Sequence, residues 1–80
     1  IMAGEVFAKI VDLISTKKGI PAAQVTIESS FESLGMDSLD AVELVSDLEE
    51  IFNVNIPNAE LHHFKTIRQA VDGLERAIAQ

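Results

Sequence analysis

The strongest constraint on this chain is the spacing of its apolar residues, which return every three or four positions in three separate segments. Ala3, Val6, Phe7, Ile10, Leu13 and Ile14 form the first set. Ala41, Val45, Leu48 and Phe52, flanked by Leu44 and Ile51, form the second, and Ile67, Ala70, Val71, Leu74 and Ile78 the third. That spacing gathers each set along one side of an α-helix and leaves polar residues on the other. In 80 residues, three such helices hide their stripes by packing on one another, so the expectation is a single all-α domain over residues 1–80. Ile1, ahead of Met2, reads as foreign to the natural chain. A hydrophobic content of 48% suits one small core, and no apolar run approaches a membrane span. No basic segment followed by an apolar stretch opens the chain, so no secretory signal is expected.

Local signals set the helix ends. Lys17 and Lys18 suit the negative end of the first helix, Gly19 its C′ position, and Pro21 prevents continuation, which predicts a helix over 4–18. Asp37 is the candidate N-cap of the second helix, predicted over 38–52 and broken by Asn53, Asn55 and the Ile56-Pro57 pair. Asn58 is expected to cap a short third helix over 59–64, with Leu61 and Phe64 turned inward. Thr66 followed by Gln69 reads as a capping box opening the last helix, 67–79, whose Arg68, Asp72 and Arg76 are spaced for ion pairs along its outer face. The predicted fold is a small four-helix bundle, three main helices and a short third one, with a long first loop over 19–37. Val25, Ile27, Phe31 and Leu34 pin that loop to the core, with walling a ligand cavity as a second role for Phe31, and Ser29 to Glu32 can form a single helical turn.

Charge narrows the function. The net charge is −7, and no basic residue lies between Lys18 and Lys65, whereas nine of the thirteen acids do. Nucleic acid binding is disfavoured, because phosphate contacts require a basic stripe. An acidic middle favours basic protein partners. On the second helix Asp40, Glu43, Asp47 and Glu50 line up at helical spacing as an outward stripe. Like charges three and four apart repel by a few tenths of a kcal/mol per pair, roughly. No basic residue on this helix compensates, so compensation is expected from outside the chain. Leu39 and Val42 lie beside the stripe as a small apolar contact.

Gly35-Met36-Asp37-Ser38-Leu39-Asp40 places one serine where the second helix begins. Gly35 allows a positive-φ approach, Asp37 accepts from the free N–H groups of the first turn, and a phosphate on Ser38 would lie near the positive end of the helix. Leu34 to Asp40, followed by Val42-Glu43-Leu44, Leu48-Glu49-Glu50 and Phe52, resembles the acyl carrier protein family. Phe31, Ile56-Pro57 and Thr66-Ile67 extend the likeness over nearly the whole chain. The resemblance implies a helical carrier that bears a 4′-phosphopantetheine arm on Ser38, transferred from coenzyme A by a phosphopantetheinyl transferase, with Asp37 and Leu39 flanking the site. It implies that acyl intermediates travel on the arm as thioesters between enzymes of fatty-acid or polyketide-type synthesis, and that the protein is a substrate of those enzymes and catalyses nothing itself. The family's docking face for acyl-transferring and synthase enzymes with basic patches would map onto Asp37, Leu39, Asp40, Val42, Glu43, Asp47 and Glu50. Its acyl cavity would map near Val45, Leu48, Ile56, Leu61 and Phe64. A cytoplasmic monomer without membrane insertion is expected.

This sequence departs from the family pattern at three places. Asn53, Asn55 and Asn58 stand where many members carry acids, which puts surface divalent-cation sites in doubt. His62 and His63 make the third helix less acidic, and Ile51 replaces a commonly polar residue. Other readings are an aminoacyl or peptidyl carrier, or an acidic interaction module with no covalent chemistry. A hydrolase is disfavoured because the stretch around Ser38 lacks the second glycine of a nucleophile elbow and the strand before it. No metal site is expected, since neighbouring histidines on a helix diverge by ~100°, and with no cysteine any thiol must come from a cofactor.

Overall fold

The computed structural model describes residues 3–80, so Ile1 lies outside the described residues, as does the side chain of Ala3. Four α-helices follow in order: α1 (Ala3–Lys18), α2 (Ser38–Phe52), α3 (Asn58–Leu61) and α4 (Ile67–Ala79), with one turn of 3-10 helix, Ala22–Gln24, after α1. There is no strand among the described residues, and the fold is all-α, a helical bundle.

Helix α1 packs on both α2 and α4. Val6, Ile10 and Ile14 from α1, Leu44 and Leu48 from α2, and Ile67, Ala70 and Leu74 from α4 are fully buried and form the centre of one core. This is the expected periodicity with two corrections on α2. Leu44 lies at the centre of the core, and Ile51 is 47% exposed and belongs to the outer surface. Periodicity alone does not fix the angle at which a helix leans on its neighbours, and that angle decides the edge positions.

The end of α1 is closed as expected. Gly19 takes φ +68, and its N–H donates to the Ser15 carbonyl at 2.9 Å. The Ser15 hydroxyl donates to the Ile20 carbonyl at 2.7 Å and holds the exit. The long connection is pinned twice. Val25, Phe31 and Met36 plug into the core. The backbone around Ser30 pairs antiparallel with Thr66: Phe31 N–H donates to Lys65 O, Ile67 N–H to Ser29 O and Arg68 N–H to Ile27 O. The helical turn expected over Ser29 to Glu32 is displaced by this pairing to hydrogen-bonded turns over residues 31–35. Because the bridge joins segments far apart in sequence, it leaves no local signal.

Helix α3 also departs from its expected form. Pro57, with φ −60 and ψ 142, is its N-cap and makes no side-chain bond, so Asn58 is the first helical residue and not the cap. The helix ends at Leu61 because Phe64 must turn into the core. Helix α4 begins as predicted: Thr66 Oγ1 accepts from Gln69 N–H, and Gln69 Oε1 accepts from Thr66 N–H at 3.0 Å. Its arginines reach across to other segments. Arg68 pairs with Glu28 at 3.0 Å and Arg76 with Glu60 at 2.9 Å, in place of the expected pairing along the helix.

Gly73 is buried in the middle of α4, and the Phe64 ring lies where a Cβ would project. Glycine in a helix interior costs about 1 kcal/mol relative to alanine, and here it leaves room for a core aromatic. Gly73→Ala is therefore expected to destabilise the fold by about 1–3 kcal/mol, through overpacking or expulsion of Phe64, against the usual sign of this substitution. Each kcal/mol lowers Tm by about 4–8 °C in a domain of this size. Gly4→Ala, where a Cβ meets nothing within 4 Å, is the control and should be neutral or stabilising. Calorimetry of both variants decides, and a stabilised Gly73→Ala would contradict this packing.

Candidate functional site

The loop before α2 is shaped to deliver one side chain to its first turn. Gly35 takes φ +76, which an L-residue seldom adopts. Met36 N–H then donates to the Phe31 carbonyl at 3.0 Å while the Met36 side chain is buried, so the chain is anchored directly ahead of the helix. Asp37 is the N-cap. Asp40 N–H donates to Asp37 Oδ1 at 2.8 Å, and Asp37 N–H donates to Asp40 Oδ2 at 3.1 Å, a reciprocal box closed by two aspartates. Ser38 is the first residue of α2 and is exposed, and its hydroxyl enters no hydrogen bond among the described residues. The first N–H groups of a helix have no intrahelical acceptor, so an anion held by Ser38 lies at the positive helix end.

Beside Ser38 is a cleft of about 360 Å³ between the loop, the start of α2 and the α3 segment. Phe31, Met36, Ala41, Val42, Leu61 and Phe64 supply its apolar lining, with Ser30, Glu32, Asp37, His62 and Lys65 also contributing. Of the residues expected to line an acyl cavity, Leu61 and Phe64 are on this cleft. Val45, Leu48 and Ile56 lie in the packed core and are not among its walls. Phe31, expected first as a core plug and second as a cavity wall, serves as both, and Met36, read only as part of the motif, is the wall that was not foreseen.

Leu39 is 64% exposed and Val42 45%, and they share the outer face of α2 with the acidic stripe. The expectation that this stripe draws its compensation from outside the chain is corrected here. Lys17 Nζ lies 3.5 Å from Asp47 and 3.9 Å from Glu43, and Lys18 Nζ 3.3 Å from Asp40. Glu50 is in no ion pair among the described residues. The signal that could have revealed this was the pair of lysines closing α1, read only as complements to their own helix end. At the far end of α2, Asn53 takes the left-handed conformation, φ 55 and ψ 51, and Glu49 accepts from Ile56 N–H at 2.7 Å. His62 and His63 are exposed, and no three His, Asp or Glu side chains gather as a metal site among the described residues.

The backbone hydrogen bond from Asp37, aided by Lys18, holds the Asp40 carboxyl below its ordinary pKa. A depressed carboxyl contributes stability above its unfolded pKa of about 3.9, and the contribution is lost as pH falls through the lower folded value. Asp40→Asn should therefore be less stable than the parent at neutral pH, and the gap should shrink as pH drops below about 4. Denaturant unfolding across that range checks it, and a gap independent of pH would contradict it.

Residues 8–74 match the family model described as the phosphopantetheine attachment site. An acyl carrier protein of Amoebophilus asiaticus is 42% identical over 77 residues, covering 95% of this chain and 96% of that protein. One from Onion yellows phytoplasma is 46% identical over 67 residues, covering 82% and 88%. Among solved structures, the crystal structure of an acyl carrier protein from Thermotoga maritima superposes with a TM-score of 0.86 at 27% identity, covering 96% of this chain and 91% of that one. The hexanoyl carrier protein of the actinorhodin polyketide synthase of Streptomyces coelicolor shares the fold, with a TM-score of 0.78 at 24% identity over 99% and 92% of the two chains.

Proposed function

Because the chain belongs to the acyl carrier protein family, we propose that Ser38 bears its arm and that the outer face of α2 meets its partner enzymes. The protein is a carrier and not a catalyst, its cofactor is 4′-phosphopantetheine, and transferase and synthase enzymes are its class of partner. The observation that carries the assignment of Ser38 is its position: exposed, first in α2, with a hydroxyl that enters no hydrogen bond among the described residues and a cleft at its side. When attached, the arm supplies the thiol on which acyl groups are carried, chemistry that a chain without cysteine lacks.

The chain's own residues supply attachment, placement and recognition. Ser38 contributes the hydroxyl oxygen that joins the phosphate. Asp37 and Asp40 fix the first turn so that this oxygen points outward, and the unpaired N–H groups of the turn stabilise the phosphate charge. Asp37 and Leu39 flank the serine for the transferase. Asp40, Glu43, Asp47 and Glu50 steer basic surfaces, and Leu39 and Val42 give the apolar contact. The cleft is the proposed shelter for the start of an acyl chain, with Phe31, Met36, Leu61 and Phe64 excluding water. Val45, Leu48 and Ile56 belong to the packed core, so an acyl chain that reaches them must part core side chains.

The pathway we infer is fatty-acid or polyketide-type synthesis, in the cytoplasm, with the protein a monomer. Among the described residues only Leu39, Val42 and Ile51 are large apolar side chains left exposed, too few for a stable homodimer interface. Incubation with coenzyme A and a phosphopantetheinyl transferase tests the assignment: the intact mass should rise by one arm, and fragmentation should place it on Ser38. Addition at another residue would overturn the assignment.

A further inference from the structure

Lys17 and Lys18 close α1, yet their ammonium groups are seated on α2. They engage Asp40, Glu43 and Asp47 at 3.3 to 3.9 Å, so three of the four carboxylates of the stripe hold a cation before any partner arrives. The lysines are about 30% exposed, and the carboxylates 28% to 55%. Pairs this open to water are individually weak and readily exchanged. They are also tethered, so a displaced lysine stays at high effective concentration and returns when the face is vacated. We propose that Lys17 and Lys18 are an internal competitor for the docking face of α2, and that a partner docks by displacing them with arginine side chains.

Arginine is the partner chemistry that suits the exchange. An ammonium is a point charge on a flexible stem, whereas a guanidinium offers a planar fork that binds a carboxylate through two parallel hydrogen bonds. Glu43 and Asp47 share Lys17, and Asp40 accepts from both Lys18 and the Asp37 backbone. An arriving guanidinium therefore replaces weak shared contacts with directed ones. On release the lysines refill the face, which spares α2 the repulsion between carboxylates three and four apart and hastens departure. The identity of the partner rests on the carrier reading; the contact between α1 and α2 does not.

The test titrates tetra-arginine into isotopically labelled protein at low ionic strength and follows the amide signals of Asp40, Glu43 and Asp47. Lys17→Gln with Lys18→Gln is compared with Lys9→Gln with Arg68→Gln, which removes the same charge away from this face. The first pair should bind the peptide about three- to tenfold more tightly than the parent, beyond any gain in the second, and the difference should vanish at high salt. Equal gains in both pairs, or none in the first, would overturn the proposal. With the transferase, the first pair should show a lower KM for the carrier at unchanged kcat, and an unchanged KM on a parent that loads normally would overturn it as well. A parent that never accepts the arm would refute the carrier reading, while the peptide titration would still decide the masking.

Discussion

Ser38→Ala is expected to accept no arm, while its helices and core remain as in the parent. Attachment needs the hydroxyl oxygen, and no neighbouring side chain can substitute for it in the first turn: Asp37 and Asp40 are committed to each other, and Leu39 is apolar. The fold should survive because the cap belongs to Asp37, and Ser38 makes no side-chain hydrogen bond among the described residues. Any loss of stability should therefore fall below the ~0.5–2 kcal/mol of removing a cap outright. Asp37→Ala is the contrasting variant, expected to lose about that amount. Intact mass reads the first claim and thermal unfolding the second. A Ser38→Ala protein that is still modified would refute the site.

Reversing charge at Glu43 and Asp47 should lower kcat/KM for transferase loading by about 10- to 100-fold at low ionic strength, with most of the effect gone at high salt. Both carboxylates stand on the face that holds Leu39 and Val42, and lysine at these positions would repel Lys17 and any basic partner alike. Asp40 is excluded from this test because it closes the cap, so its reversal would mix docking with helix stability. Repulsion along the stripe, taken alone, implies that charge reversal leaves α2 intact or slightly steadier. The observed pairs with Lys17 reverse that expectation, and the double reversal should cost a few tenths of a kcal/mol, roughly. Glu5→Lys with Asp12→Lys, on exposed positions of α1, makes the same change in net charge. Equal losses from both pairs would show that only net charge matters.

What was legible in the sequence was local. The Thr66–Gln69 box marked the start of α4, and Gly35, Asp37 and Ser38 marked the start of α2, because capping joins residues within one turn. The apolar stripes of α1 and α4 were readable for the same reason, as each face repeats within its own helix. What was missed depends on elements meeting. The bridge between Ser30 and Thr66, the seating of Phe64 against Gly73 and the reach of Lys17 and Lys18 to α2 each join segments that only the packed bundle brings together. The walls of the cleft were foreseen only in part on the same account. Its walls come from a loop, α2 and the α3 segment at once, and Phe31 and Met36 became walls only when the loop was pinned. In α3, Pro57 with its fixed φ set the start of a four-residue helix that a side-chain cap from Asn58 would have shifted by one residue.

The most direct measurement is the mass of this protein purified from cells that make it, followed by fragmentation of the segment between Lys18 and Lys65. Trypsin leaves that segment whole, and it contains Ser29, Ser30, Ser33, Ser38 and Ser46, so the fragments must separate five serines. The arm is predicted on Ser38 alone, in part of the population with an acyl group on its thiol. A protein that carries no arm, or carries it on one of the other four serines, would contradict the account.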